Sequence, residues 1–416
     1  MLWVNSWRMT DDISEDAAQR DSVMRALARV AAQGDKFEAA EPGSRESLIE
    51  AARDLLAAAE SPVESLLWSI WSLPTRTVAA RVAIDLQIFQ TATQDGSRPK
   101  SIAELAAPTK AAPELVERIA RVCVSMGMLD EQGPGAYIPN RLTRALACPE
   151  YAGSIIFCFD CTQLSFARLP EYLRSIRFQN PQDATSGPFQ FANQWEGHAF
   201  DWLTGHPEVF QAFHGFVYTL RAHRPSWFDM YPVKDRLIER MNVGGSSSAL
   251  VDVGGGMGQT LEDFRVHVPE YTGELVLQDL PEVIEVARRQ GLDARISLQA
   301  HDFFTPQPVK GARAYFMRSV LHDWPDDACR KILGHLKDAM EPGYSRILIS
   351  DCVVSNEKAA WQHVSLDIFM MALASAQERT EHQWYNLIES CGLKISGIYS
   401  KGVGNESLIE VVAQSN

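Results

Sequence analysis

Ala249-Leu250-Val251-Asp252-Val253-Gly254-Gly255-Gly256-Met257-Gly258 is the stretch whose reading decides the fold. An apolar run that ends in glycines and opens into the helical pattern TLEDFRVHV reads as a buried strand, a tight turn and a helix start. Glycine lets the backbone approach a ligand where a Cβ would collide, and the helix N-terminus presents free N–H groups. The plainer alternative for such a loop is a tight strand-to-helix turn. Downstream the pattern repeats. GELVLQDL, ARISLQAHDFF, ARAYFMRSVLHDW and SRILISDCVV read as further strands, with PEVIEVARRQ and DDACRKILGHLKDAM as helices among them. SGIYS and SLIEVVAQ close the chain as two short strands. Strands alternating with helices make a doubly wound, parallel α/β sheet, here assigned to residues 236–416.

The rest of the chain is read outward from that sheet. With 416 residues, the sequence is too long for one ordinary domain. Hydrophobic residues at 46% against 22% charged are the balance of a globular protein with a sizeable core, which excludes disorder as the main state. The net charge of −14 argues against nucleic acid as a partner and gives no polybasic case for a membrane. No apolar run reaches the roughly 18 residues needed to span a bilayer. The opening MLWVNSWRMTDD lacks the charged-then-apolar pattern of a secretory signal, so a cytoplasmic location is expected. Seven cysteines, an odd number, do not read as a disulfide framework. Cys158 and Cys161 form a C-x-x-C pair inside the apolar run FCFDCTQL, without a second pair at zinc spacing, and read as buried free thiols.

Residues 1–50 are polar and Ala-rich and read as a helical leader or dimer element. In SPVESLLWSIWSLPTRTVAARVAIDLQIFQ, Leu66, Ile70, Leu73, Val78, Val82, Leu86 and Phe89 recur near helical spacing on either side of Pro74. A helix apolar over so much of its surface is buried in its own chain or in a partner subunit. Residues 51–150 then run helix, turn at Pro108, helix, turn at Gly133–Gly135 and short strand, which is the order of a winged helix. DNA recognition is one use of such a fold. The second helix mixes Glu114 and Glu117 with Arg118 and Arg121 and has no basic face, which favours a dimer-forming use.

Residues 151–235 are helical and rich in aromatics, among them Phe166, Trp195 and Phe213, with His198, His206, His214 and His223 interspersed. Rings at helical spacing are ordinary core, but aromatic walls with a few polar groups also hold flat organic ligands.

Chemistry concentrates at the ends of the sheet strands. Asp279 closes the second strand about 20 residues beyond the glycine loop, where an acidic side chain accepts ribose hydroxyls. Asp302 ends the third strand, and Phe303 beside it offers a ring face to an adenine. Together these describe a nucleoside site at the carboxyl edge of a Rossmann-like sheet. The spacing also suits NAD, but the loop reads GGGMG rather than G-x-G-x-x-G, and no residues suited to hydride transfer stand out. After the fourth strand comes Arg318-Ser319-Val320-Leu321-His322-Asp323-Trp324-Pro325. An imidazole at that edge accepts a proton near neutral pH, which is what a phenol attacking an activated methyl group requires. The same residues allow Asp323 to cap the next helix.

These motifs, VDVGGGMG, LQDLPEV, HDFF, RSVLHDWPDD and QERTEHQW in that order, resemble the caffeate-type family of S-adenosylmethionine-dependent O-methyltransferases, in particular its fungal secondary-metabolite branch. The likeness covers roughly residues 60–416. It implies S-adenosylmethionine as cofactor, with Gly254, Gly255 and Gly256 along its methionine part. Asp279 and Leu280 would lie at the ribose, Asp302 and Phe303 at the adenine, and Arg318 nearby. It implies His322 as general base, oriented by Asp351 and Glu378. The family often has Glu where Asp351 stands, so the shorter side chain is expected to leave a gap to the imidazole. Phe369 and Met370 match a helix that lines the acceptor pocket, joining Phe166, Trp195, Phe213 and Asp323 as substrate-binding candidates. No metal is expected, and a homodimer is. The expected reaction is methyl transfer to a hydroxyl of an aromatic or polyketide-type small molecule. The alternative carried beside it is a dehydratase or pericyclase that uses the sulfonium as an electrostatic aid and keeps its methyl group.

Overall fold

The computed structural model describes residues 13–96, 98–222, 224–239 and 248–414. His223 and the first part of the expected leader, residues 1–12, lie outside them. The chain divides into two compact units, Met1–Ala147 and Cys148–Asn416.

In the first unit the helices Ile13–Glu38 and Ser44–Ala59 pair with each other. The next helix, Pro62–Leu67, starts on a capping box in which Ser61 accepts from the Glu64 N–H and Glu64 accepts from the Ser61 N–H at 2.9 Å. The chain stays helical through Pro74. A π-helical turn at Trp68–Ser72 shifts the hydrogen-bond register where Pro74 has no N–H to donate, and Leu73–Asp85 continues beyond it. Ile70 and Trp71, 53% and 65% exposed, leave an apolar face uncovered in the single chain. Helices Ile102–Ala106 and Pro113–Ser125 lead into the hairpin of β1 (Asp130–Gly133) and β2 (Ala136–Ile138), with Lys100 bridging to Tyr137 as a third edge. This is the winged-helix order.

The second unit holds a seven-stranded sheet. Its strands are β3 (Leu250–Val253), β4 (Leu275–Asp279), β5 (Ile296–Ala300), β6 (Ala314–Arg318) and β7 (Arg346–Asp351), followed after the short pair β8 (Val353–Val354) and β9 (Arg379–Thr380) by β10 (Leu393–Ser400) and β11 (Ser407–Ala413). The spatial order is β10-β11-β7-β6-β3-β4-β5. The sheet is mixed: β3 to β7 run parallel, while β11 pairs antiparallel with both β7 and β10. A short connection between the last two strands forces that reversal, because a parallel crossover needs a dozen residues or more.

Period-2 alternation divides the core between the two faces. Val251, Val253, Met317, Ile347 and Ile349 point to one side, against Ile332, Leu336, Trp384 and Ile388 from helices Asp326–Lys337 and Glu381–Ser390. Leu250, Leu277, Ala314, Phe316 and Leu348 point to the other, against Leu261, Phe264, Ile284 and Trp227. Asp252 falls in register with Leu250, which puts a carboxylate on an otherwise apolar face. The sheet order reverses at β3, whose neighbours β4 and β6 lie on opposite sides, and the carboxyl ends around such a point form the crevice of open α/β sheets. The aromatic helices of residues 148–239 belong to this unit and pack with helix Trp361–Ala374.

Candidate active site

The glycine turn follows β3 directly. Gly254, Gly256 and Gly258 adopt left-handed backbone, with φ of 70°, 60° and 81°. Gly255 does not, but a Cβ there would stand 2.5 Å from the Asp252 carboxylate and from Leu277. A Cβ on Gly256 would meet nothing within 4 Å, so the turn faces open space on that side. The Gly254 N–H donates to the Gln278 carbonyl at 2.8 Å, and the Gly256 N–H donates to Asp279 Oδ2 at 2.8 Å. Asp279 Oδ1 accepts the Leu280 N–H at 2.8 Å. Burial raises the Asp279 carboxyl, against the two N–H bonds, which favour its anion. The turn and the end of β4 are thus tied together by the side chain expected to meet a ribose.

The other nucleoside candidates lie around this turn unevenly. Phe303 packs beside it, its ring edge 3.6 Å from where a Gly254 Cβ would be. Asp302 is exposed and its carboxylate accepts the Phe304 N–H, so it shapes its own turn. The Leu280 side chain is 49% exposed. Arg318, at the end of β6, donates to Glu406 at 2.9 Å.

His322 sits on a short 3-10 turn, Leu321–Asp323, and is buried. Val320, just before that turn, comes within 3.0 Å of the Gly254 Cβ position, which sets the turn against the glycine rim. His322 Nδ1 lies 2.7 Å from Glu378 Oε1. A carboxylate only accepts, so Nδ1 carries the proton and Nε2 is left as the acceptor of the neutral ring. Asp351, at the end of β7, is 4.0 Å from Nδ1, the gap expected from its short side chain. Asp323 Oδ1 is 3.6 Å from Nε2.

These charges shift one another. Burial opposes the His322 cation, yet Glu378, Asp323 and Asp351 outweigh it and raise the imidazole well above its ordinary value. Burial pushes the Asp351 carboxyl up to about 8, partly offset by His322, and both its oxygens lack a hydrogen-bond partner. Asp323 rises to about 6, again chiefly through burial. The helix-capping role read for Asp323 is not found. The helix begins at Asp326, with Pro325 before it and no side-chain cap, because the 3-10 turn absorbs residues 321–323 first.

The aromatic candidates form one cluster. Phe166 packs edge-on to Phe369 at 5.9 Å, Phe157 lies 5.2 Å from Phe213, and Trp195 and Met370 join the same group. His198 stacks on Trp324 at 4.7 Å, which links the cluster to the residue two beyond His322. The Cys158–Cys161 thiols lie in a π-helical turn, are free, and are pushed by burial up to about 12.

Sequence reasoning missed Asp252 and Glu406. Asp252 is 1% exposed, lies under Gly255, and neither carboxylate oxygen has a hydrogen-bond partner. Burial lifts it to about 7. Glu406 receives Arg318 and, at 3.4 Å, Arg224, and is buried between them. An Asp inside VDVG at strand period 2 was a legible signal, since it interrupts an apolar face. Nothing local marks Glu406.

Comparison with known proteins decides the family. Residues 233–394 match the O-methyltransferase domain and residues 75–148 the O-methyltransferase dimerisation domain. The O-methyltransferase mpaG of Penicillium brevicompactum is 36% identical over 95% of this chain and 98% of its own length. The chain belongs to the O-methyltransferase family. Demethylsterigmatocystin 6-O-methyltransferase of Aspergillus parasiticus is 34% identical to this O-methyltransferase over 77% of the chain and 81% of its own. Two solved structures, one described as a pericyclic reaction enzyme and one of LepI in complex with SAM, are each 28% identical with a TM-score of 0.84, covering 97% of this chain and 100% of theirs. The cofactor of this O-methyltransferase is S-adenosylmethionine. Among the described residues, no helix is long and apolar enough to cross a membrane.

Proposed function

We propose that this O-methyltransferase moves the methyl group of S-adenosylmethionine to a phenolic hydroxyl of an aromatic or polyketide-type secondary metabolite, with His322 accepting the proton. One observation carries the reading: a buried imidazole, bonded through Nδ1 to Glu378 at 2.7 Å, on a turn whose Val320 packs against the glycine rim. When bound, the cofactor supplies an electrophilic methyl on a sulfonium. Gly254, Gly255 and Gly256 would border its methionine part, Asp279 and Leu280 its ribose, Asp302 and Phe303 its adenine, with Arg318 close by.

Three features support that fit. Gly255 has no room for a side chain, and Gly256 is open to the outside. Each Asp279 oxygen accepts one backbone N–H and keeps a lone pair for a hydroxyl. Asp252 is buried under Gly255 with its carboxyl raised to about 7, and a nearby ammonium would favour its anion.

The residues then divide the work. A phenol has a pKa of about 10, so its proton must be taken or shared during attack. His322 Nε2 takes it, Glu378 fixes the tautomer, and Asp351 adds negative charge beside the imidazolium once its own proton is lost. Holding oxygen and methyl carbon in contact is the larger contribution. Phe166, Trp195, Phe213, Phe369 and Met370 would clasp the acceptor's rings and Asp323 its polar edge. Trp68–Phe89 and residues 75–148 support a homodimer, and cysteines that form no disulfide among the described residues support the cytoplasm.

The test is to incubate the protein with S-adenosylmethionine and a panel of phenolic polyketides and to quantify S-adenosylhomocysteine. Equimolar methylated product and S-adenosylhomocysteine are expected; turnover without S-adenosylhomocysteine rejects methyl transfer. A second reading rests on the raised His322 basicity, since an imidazolium beside a sulfonium is also suited to dehydration or pericyclic ring closure with the methyl group retained. The same measurement separates the two.

A further inference from the structure

Arg379 directly follows Glu378 in the chain and is wholly buried, at 0% exposure. Its guanidinium touches neither the glycine rim nor the aromatic cluster through any hydrogen bond. Nη1 donates to the Leu321 carbonyl at 2.9 Å and Nη2 to the Trp324 carbonyl at 2.9 Å. Those carbonyls bracket His322 and Asp323, one residue before the first and one after the second. Nε and Nη2 also donate to Asp326 Oδ1 at 3.0 and 2.8 Å, at the first residue of helix Asp326–Lys337. Cys329 on that helix serves the same two carbonyls through its thiol, at 3.2 and 3.3 Å. Trp384 lies under the guanidinium at 5.3 Å, and its indole N–H holds the Cys352 carbonyl at 2.9 Å, next to Asp351. On the other flank of Glu378, Gln377 reaches Asp326 at 3.4 Å, and the Glu378 N–H donates to Asp367 at 2.8 Å.

We infer that Arg379 is the positioning residue of the proton acceptor: it locks the turn carrying His322 to the chain carrying Glu378, and so sets the length of the bond between them. The inference rests on the reading of His322 as base. The physical reason is geometric. The His322–Glu378 bond joins segments 56 residues apart. The turn that presents the ring has two long internal hydrogen bonds, from the Asp323 N–H to the Val320 carbonyl at 3.2 Å and from the Trp324 N–H to the Leu321 carbonyl at 3.3 Å, which alone leave it free to tilt. A planar fork of donors reaches two carbonyls and a carboxylate at once in fixed directions, whereas the flexible, point-like ammonium of a lysine cannot span them. Burying that charge is costly, and Asp326 is its single ion-pair partner among the described residues. A guanidinium placed there is hard to explain as filling, since an apolar side chain would pack without that cost.

The test reads the His322–Glu378 bond directly. The full-length protein is labelled with 15N-histidine, and the ring nitrogens and the Nδ1 proton of His322 are followed by NMR against pH. The groups that face the imidazole are Glu378 from the segment before β9, Asp351 from β7 and Asp323 from its own turn; Cys329 faces the carbonyls of the turn. Arg379→Lys is expected to keep S-adenosylhomocysteine affinity within about twofold by calorimetry, while the Nδ1 proton resonance moves upfield or vanishes. The His322 midpoint should fall by about one pH unit, an order of magnitude in imidazole basicity. A folded Arg379→Lys protein with the wild-type resonance and midpoint overturns the inference. If that variant does not fold, Asp326→Ala decides, since it changes a partly exposed side chain and strips the guanidinium of its carboxylate. A smaller shift in the same direction supports the inference, and no shift overturns it. The two readings separate cleanly. A shifted resonance together with a His322→Ala protein that still forms S-adenosylhomocysteine at the wild-type rate would remove the base and leave the positioning geometry intact.

Discussion

The glycine rim and the His322 cluster lie on the same edge of one sheet and are built on opposite principles. The rim is made of backbone: Gly254 and Gly256 N–H groups, the Gln278 carbonyl and one carboxylate, Asp279, drawn from two adjacent strands. The cluster is made of side chains: His322 after β6, Asp351 at the end of β7 and Glu378 just before β9, with Arg379 behind them. Apart from its one carboxylate, a backbone site changes little when a side chain is altered, provided no Cβ is added. A side-chain site depends on where each element sits, and its charges shift each other's proton affinities. The rim is therefore suited to holding a ligand in place and the cluster to moving a proton, and variants in the two should separate binding from turnover.

The sharpest break in that comparison is His322→Ala. It should lower S-adenosylhomocysteine formation by about 10²–10⁴-fold, the usual range for a lost general base. Cofactor affinity by calorimetry should stay within a few-fold. A collapse of affinity would merge the two regions and end the comparison.

Asp279→Ala should do the reverse. The loss of charge-assisted hydrogen bonds worth about 1.5–3 kcal/mol predicts roughly 10- to 100-fold weaker cofactor binding, with turnover at saturation nearly kept. Unchanged affinity would remove the ribose role.

Glu378→Gln sharpens the electrostatic half. The carboxylate raises the imidazole, so its removal lowers the His322 pKa. A base works in its neutral form. The alkaline-rising limb of the rate profile, set in the native protein by an imidazole raised well above its ordinary value, should therefore move toward acid pH, while the maximal rate falls because the ring loses its anchor. A limb that stays in place would show that another group governs it.

The smallest effect is expected from Asp351→Glu. The added methylene spans part of the 4.0 Å gap to Nδ1 and places a second carboxylate in competition with Glu378. A change of a few-fold in rate and a small alkaline shift of the limb are expected; a tenfold loss would mean that the gap itself matters, for instance as the site of a bridging water.

Much of the rim was legible in the chain because its signals are local. VDVGGGMG, the Asp at the end of LVLQD and the Phe in HDFF each follow a strand by a fixed short distance, and a parallel sheet brings all such ends to one edge. Reading stopped where local chemistry had two outlets. Asp302 was read as a strand-end acid facing an adenine, and Asp323 as a helix cap beside the imidazole. Asp302 turned back onto its own backbone, and Asp323 came within 3.6 Å of the imidazole without capping a helix. Asp252 was visible as a polar break in an apolar strand, yet its burial under Gly255 was not, because that depends on how the turn folds back over the sheet.

Sequence alone determined the alternation of strands and helices, the glycine turn, the strand-end acids and a histidine just past the fourth strand. Each of these follows from hydrophobic period or from the stereochemistry of a few adjacent residues. Only the tertiary structure decided that Glu378 and not Asp351 grips the ring, that Arg318 and Arg224 share the buried Glu406, and that Arg379 holds the turn from behind. Those choices rest on differences of one or two ångströms between segments far apart in the chain. Hydrogen bonds and ion pairs fall off steeply over that distance, whereas the hydrophobic pattern that directs the fold does not resolve it.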